Sequence, residues 1–195
     1  HFGFPLEEER VLLGRPDSKS RLLAISASGR VPVLVDDDLR VWDSLAIIEH
    51  LAERFPGAAG WPAAARARPE ARSVSAEMHA GFGALRTQMP FNCRAHGRIV
   101  SLDAAARGDI ERICALWSDL RSRHASAGPW LFGDFSAVDA MYAPVALRFV
   151  TYGVPLEEPA AGFVRSVRGH PAVREWLEAA REEEEVIEED EVGSQ

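Results

Sequence analysis

The run Gly29 to Pro56, GRVPVLVDDDLRVWDSLAIIEHLAERFP, constrains this chain more than any other part of it. Its apolar pattern changes from a period of two to a helical period around a single Asp-Ser pair. Val31-Pro-Val-Leu-Val35 is aliphatic and mostly β-branched, Asp36-Asp-Asp38 has turn chemistry, and Leu39-Arg-Val-Trp42 alternates apolar with polar. These three pieces read as an antiparallel hairpin. Leu45-Ala-Ile-Ile48, Leu51 and Phe55 then recur at helical spacing, so Asp43 or Ser44 should cap the helix and Pro56-Gly57 should end it. Pro32 has no ladder donor, which suits the start of a strand or a cis bond.

Downstream the pattern is helical throughout. Pro62 to about Ala95 carries Met78, Phe82, Leu85 and Met89 on one amphipathic face, and about Leu102 to Ala125 carries Ile110, Ile113, Leu116, Trp117 and Leu120. Gly128-Pro-Trp-Leu-Phe-Gly133 reads as a tight aromatic connector. Ser136-Ala-Val-Asp139 then opens an apolar helix running to Tyr152, with a serine three residues before an acid as in a capping box. Pro159 to Arg168 and Pro171 to Arg181 each begin with a proline that suits a first helical turn.

Composition sets the outer limits. A chain of 195 residues, 47% hydrophobic with no long apolar run, can bury a real core and is not expected to span a membrane. Its net charge of −8 comes from the segment beginning at Glu182, which carries eight acidic residues and no basic one; the remainder balances at 22 of each sign. A neutral body gives no expectation of a nucleic-acid partner. The acidic segment is expected to extend a surface helix and then fray. Cys93 and Cys114 form neither a C-x-x-C pair nor a disulfide framework, which fits a reducing cytoplasm. His79, His96, His124 and His170 have no ligand spacing, so no metal is expected, and no phosphate-binding glycine pattern appears. Cys93 beside Arg94 could be a nucleophile, but a packed thiol is the simpler reading.

The Val-Pro, hairpin and Asp-Ser order resembles the glutathione-binding part of the cytosolic glutathione transferases, with a bacterial, zeta-like flavour. Leu131-Phe-Gly-Asp-Phe-Ser-Ala-Val-Asp-Ala140 resembles the start of the core helix of their helical domain, and His170-Pro-Ala-Val-Arg-Glu-Trp176 its closing helix. The resemblance implies a thioredoxin-like α/β domain over residues 1–55, a linker from Pro56 to Pro62, and an all-helical domain over 62–195 that includes the acidic tail. It implies glutathione as co-substrate and a cytoplasmic homodimer with Asp43 to Ala46 near its two-fold axis. The implied activity is the detoxifying transfer of glutathione to a hydrophobic electrophile.

Residue by residue, Val31 before Pro32 would offer its main chain to the cysteinyl part of glutathione, as an added strand does. Asp43 and Ser44 would hold the γ-glutamyl end at a helix N-terminus that favours an anion. Arg30 stands where a lysine or glutamine often lies near the tripeptide. Without the surrounding pattern Ser44 is only an N-cap. The second substrate would lie between the domains, against His79, Phe82, Arg86 and Met89, although a stripe at this spacing is commonly buried.

In such transferases the serine, tyrosine or cysteine that activates the thiol sits near the junction of the first strand and helix. Here His1-Phe-Gly-Phe-Pro5 resembles the end of that helix and Leu6 to Leu13, LEEERVLL, the second strand. The activating residue is therefore expected upstream of His1, about two dozen residues being implied by ordinary element lengths. A sheet lacking that first strand would be split, with exposed edges. Two other activities fit the same pattern: a glutathione-dependent cis-trans isomerase of the maleylacetoacetate type, and a non-catalytic glutathione-binding or dimerisation module.

Overall fold

A computed structural model of the chain describes residues 3–56, 58 and 60–194. It divides into two compact units, residues 1–60 and 61–195.

In the first unit, helix α1 (Ser18–Ile25) precedes strands β1 (Val33–Asp36) and β2 (Leu39–Trp42), followed by helix α2 (Ser44–Arg54). The strands pair antiparallel with Val33 opposite Trp42 and Asp36 opposite Leu39. Asp37 takes a positive φ of 53° in the turn, a conformation its short polar side chain tolerates. Helix α2 is tied back to the hairpin by polar contacts: His50 Nε2 lies 3.0 Å and Arg54 Nε 3.1 Å from Asp36 Oδ2. Phe55 ends the helix, and its ring lies 4.6 Å from that of Phe4 in a tilted contact. Gly57, expected to share in ending α2, lies outside the described residues, as do His1 and Phe2.

The second strand expected over Leu6 to Leu13 is absent, and the one sheet among the described residues has two strands, β1 and β2. An extended segment becomes a strand only by pairing its N–H and C=O groups, and Leu6 to Leu13 pairs with no described strand. Conversely, α1 has a weak apolar pattern, one buried leucine among polar residues, and carries no strong helical signal.

The second unit is all helical: α3 (Arg68–Ala80), α4 (Gly83–Gln88), α5 (Ala104–His124), α6 (Ala137–Thr151), α7 (Ala160–Gly169) and α8 (Pro171–Glu182). Its core centres on Trp117 of α5, whose ring lies 5.8 Å from Tyr142, 5.4 Å from Phe149 and 4.8 Å from Phe163, all of them essentially inaccessible. These edge-on and tilted aromatic contacts join α5, α6 and α7. Helix α6 begins with the expected capping box. Asp139 Oδ2 accepts from the Ser136 N–H at 2.8 Å and its hydroxyl at 3.0 Å, and Oδ1 accepts from the Leu131 N–H at 2.9 Å. One carboxylate thus fixes both the helix start and the preceding connector. Burial pushes its carboxyl up to about 6, the three donated hydrogen bonds opposing that shift. The connector turns at Gly133 (φ 95°), where a Cβ would stand 2.6 Å from that of Ala127.

The expected single helix from Pro62 to Ala95 is instead two, broken at Gly81-Phe82. Gly81 is extended, with the Glu77 carbonyl oxygen 2.6 Å from where a Cβ would sit, and Phe82 takes a left-handed φ of 56°. Asp109 of α5 accepts the Leu85 N–H at 3.0 Å, a capping bond from another helix that sequence-local reasoning does not reach.

The acidic segment does not prolong a surface helix. Helix α8 ends at Glu182, and the chain turns back along residues 92–99 to form a bridge between Ile99 and Ser194. Continuing the helix would stack like charges at i, i+4 spacing, whereas turning back pairs Glu191 with Arg98 and sets the Glu183 and Glu185 carbonyls on Arg94.

Candidate functional site

The hairpin's open end brings two short pieces of chain together. Continuing the β1–β2 register one step beyond Val33 and Trp42 sets Pro32 across from Asp43. The Val31-Pro32 bond is cis. Val31 is half exposed, and its main chain makes no hydrogen bond to a described residue, so its N–H and C=O are available to an extended ligand.

Across the gap, Asp43 is the residue that caps α2. Its backbone has a positive φ of 77°, its Oδ1 accepts the Leu45 N–H at 3.0 Å, and its carbonyl accepts from Ile47 at 3.0 Å. Ser44 is the first residue of the helix and leaves the capping to Asp43. First-turn amides have no intrahelical acceptor and lie at the positive end of the helix dipole. Ser44 opens this turn and brings a hydroxyl to it, a composition suited to a carboxylate. Arg30 is exposed beside Val31, its N–H donating to Ser28 Oγ at 3.3 Å. The five residues Arg30, Val31, Pro32, Asp43 and Ser44 therefore cluster at one end of one hairpin.

The residues named for a second substrate separate into two pairs. Met89 is fully buried and Phe82 is 7% exposed, so both belong to the core of the second unit and neither presents a side chain to a ligand. The reason is their register: they share a stripe with Met78 and Leu85, which are also buried. His79 and Arg86 lie at the α3–α4 break, where Arg86 NH1 donates to the His79 carbonyl at 3.3 Å. Beyond Gly81 itself, no residue in the sequence marks that break.

Neither cysteine has the setting of a nucleophile. Burial raises the Cys93 thiol, outweighing its own main-chain hydrogen bond and the nearby Arg94, and burial alone raises Cys114. Among the described residues no three His, Cys, Asp or Glu side chains group as metal ligands, and no helix is long and apolar enough to cross a membrane.

Residues 1–54 match the family model described as glutathione S-transferase, N-terminal domain, and residues 62–179 match glutathione S-transferase, C-terminal domain. A stretch of 34 residues is 47% identical to dichloromethane dehalogenase of Methylorubrum extorquens; it covers 17% of this chain and 12% of that relative. A glutathione transferase homolog from Burkholderia strain BGR1, solved with bound glutathione, superposes with a TM-score of 0.70 at 25% identity. That likeness covers 93% of this chain and 86% of the other. A bacterial zeta-class maleyl pyruvate isomerase shares the fold at a TM-score of 0.66 and 22% identity, over 91% of this chain and 87% of its own. With a thioredoxin-like α/β unit followed by an all-helical unit and both family models matched in order, the chain belongs to the glutathione S-transferase family.

Proposed function

We propose that this protein is a glutathione transferase that joins the glutathione thiolate to an electrophilic small molecule. The observation that carries the reading is the open end of the hairpin: an unpaired Val31 main chain before cis-Pro32, opposite an α2 N-terminus capped by Asp43 with the Ser44 hydroxyl beside it. Val31 would pair with the cysteinyl main chain, Ser44 and the first-turn amides would hold the γ-glutamyl carboxylate, and Asp43 would fix that turn and face the γ-glutamyl ammonium group. Arg30 would pair with the remaining carboxylate of the tripeptide. A bound thiol has an ordinary pKa near 8.5 and must be shifted toward thiolate to react at neutral pH. For the electrophile, His79 and Arg86 are the proposed contacts. The Burkholderia homolog with bound glutathione supports the choice of ligand.

Titration calorimetry with glutathione tests this directly. Ser44→Ala and Asp43→Ala should each weaken binding by about 1 to 3 kcal/mol, the loss expected for a hydrogen bond to a charged group. Unchanged affinity in both would remove this end of the hairpin from the site. Assay against several electrophiles then separates the activities. Turnover of a cis-enone acid without loss of glutathione would indicate an isomerase, and tight binding with no turnover a binding module. A cytoplasmic homodimer is part of the same proposal by family membership, and sedimentation equilibrium at assay concentration checks the dimer.

A further inference from the structure

The acidic C-terminal segment is held in an unusual way. Arg94 donates from NH1 to the Glu183 carbonyl at 2.5 Å and from NH2 to the Glu185 carbonyl at 2.9 Å. Glu191 receives Asn92 Nδ2 on Oε1 at 2.8 Å and Arg98 NH2 on Oε2 at 2.5 Å. Arg98 NH1 also donates to the Gly193 carbonyl at 3.0 Å, and Ile99 and Ser194 exchange main-chain hydrogen bonds. These contacts are polar. Of the segment's three aliphatic side chains, Val186 and Ile187 remain 51% and 53% exposed and Val192 is partly buried, so burial contributes less to its attachment than these polar contacts.

Beneath it lies a second arginine. Arg148 of α6 donates from Nε to the Met89 carbonyl at 2.8 Å, and its guanidinium stacks 5.1 Å over Phe91, which stacks in turn on Trp176. It forms no ion pair with a described carboxylate. Burial lowers its pKa to about 10, the like charge of Arg86 adds to the fall, and Tyr152 and Asp190 of the tail oppose it. Arg98 is also incompletely served: its Nε is buried without a hydrogen-bond acceptor. Without residues 183–194, Arg98 would lose the carboxylate it is paired with.

We propose that Arg98 is a carboxylate-binding site whose resident ligand is the chain's own acidic tail, with Glu191 as the anchoring group, and that the tail is a releasable latch over it. Three features favour release over permanent attachment. The anchoring ion pair is partly solvated, with side-chain exposures of 19% and 28%, and is therefore open to screening. Eight carboxylates between Glu182 and Glu191 repel one another once detached, which stabilises the open state. The orphaned Arg98 Nε leaves the guanidinium better suited to a carboxylate that engages its Nε edge with two oxygens than to its present contacts. A small carboxylate, with succinate as the probe, is the class of competing ligand that fits.

This proposal does not depend on glutathione. Hydrogen–deuterium exchange of the full chain tests it, followed in peptides covering 183–194 with α5 and α6 as internal reference. Raising NaCl from about 0.05 M to about 0.5 M should speed tail exchange about tenfold while α5 and α6 stay unchanged, because screening weakens only exposed charge pairs. Glu191→Gln should reach the fast rate already at low salt, and Arg98→Gln should match it. Succinate at about 10 mM should speed exchange where neutral succinamide does not, as expected when a carboxylate replaces Glu191 on a guanidinium. Tail exchange that ignores both salt and Glu191→Gln would make the segment a fixed part of the fold and overturn the latch. Equal effects of succinate and succinamide would overturn the carboxylate site.

Discussion

The two units of this protein keep their structure by different means. In the first, Leu22 is the one buried hydrophobic side chain among the described residues, α2 buries none, and Val35, Leu39 and Trp42 of the hairpin are about half exposed. Its shape rests on strand pairing, one cap and the Asp36 contacts to His50 and Arg54. In the second, Trp117, Tyr142, Phe149 and Phe163 interlock without solvent contact, and a buried carboxylate fixes the helix that carries two of them. A site made of main-chain groups and a helix end can thus sit on a thinly packed unit, because it requires backbone direction more than buried volume. The expected consequence is a division of effects: core changes in the second unit alter stability, and changes at the hairpin end alter binding.

The largest effect should come from Trp117→Ala, which empties the centre of the aromatic cluster and should cost about 3 to 5 kcal/mol in chemical denaturation. Glutathione affinity per folded molecule should be unchanged. A parallel fall in affinity would break the division between the units.

Next is Asp139→Ala, which leaves the Leu131 and Ser136 N–H groups buried and unpaired, an expected loss of about 2 to 4 kcal/mol. The pH dependence has a definite sign. The folded carboxyl is raised to about 6 against an unfolded value of about 3.9. The stability attached to its protonation is therefore complete below about pH 4 and is lost as pH rises through about 6. Measured against Asp139→Asn, which does not titrate, the wild-type protein should lose relative stability between pH 4 and pH 7. A difference that is flat across that range would show that the hydrogen bonds outweigh burial and hold the carboxyl near its unfolded value.

The hairpin-end substitutions Ser44→Ala and Asp43→Ala follow at about 1 to 3 kcal/mol of binding, and they sharpen the comparison because their stability costs should differ. Asp43 holds the α2 cap, worth about 1 kcal/mol, whereas Ser44 makes no capping bond. A stability loss confined to Asp43→Ala, with binding reduced in both, is the expected pattern.

How much of this was legible in the sequence follows from the range of the interactions involved. The hairpin, the α2 cap, the α6 capping box and the Trp117 stripe were readable because each is written within a few residues of itself. Choosing Asp43 over Ser44 as the cap required the positive φ at Asp43, which a sequence does not display. The α3–α4 break was hidden because part of its cause, Asp109, lies on another helix. Leu6 to Leu13 has an apolar and polar alternation too weak to enforce a strand, and pairing decides strands. The acidic tail was misread because charge composition reports self-repulsion and not the arginines at 94 and 98 that receive it. Position along the chain alone puts Met89 and Phe82 among the ligand contacts, whereas the buried stripe they share with Met78 and Leu85 is the stronger signal.

The smallest effect should be that of the cysteines. If the reactive sulfur belongs to glutathione, neither protein thiol takes part, and burial has already raised both Cys93 and Cys114 away from the thiolate form. Cys93→Ser and Cys114→Ser, singly or together, should leave kcat/KM for conjugation within about twofold, with a stability loss of about 1 kcal/mol or less from placing a hydroxyl at a half-buried position. A loss of about a hundredfold in the Cys93 variant alone would move the nucleophile from the ligand to the protein. The Val31 and Ser44 end of the hairpin would then bind a substrate that is attacked, and the comparison between a binding unit and a packing unit would fail at the second unit.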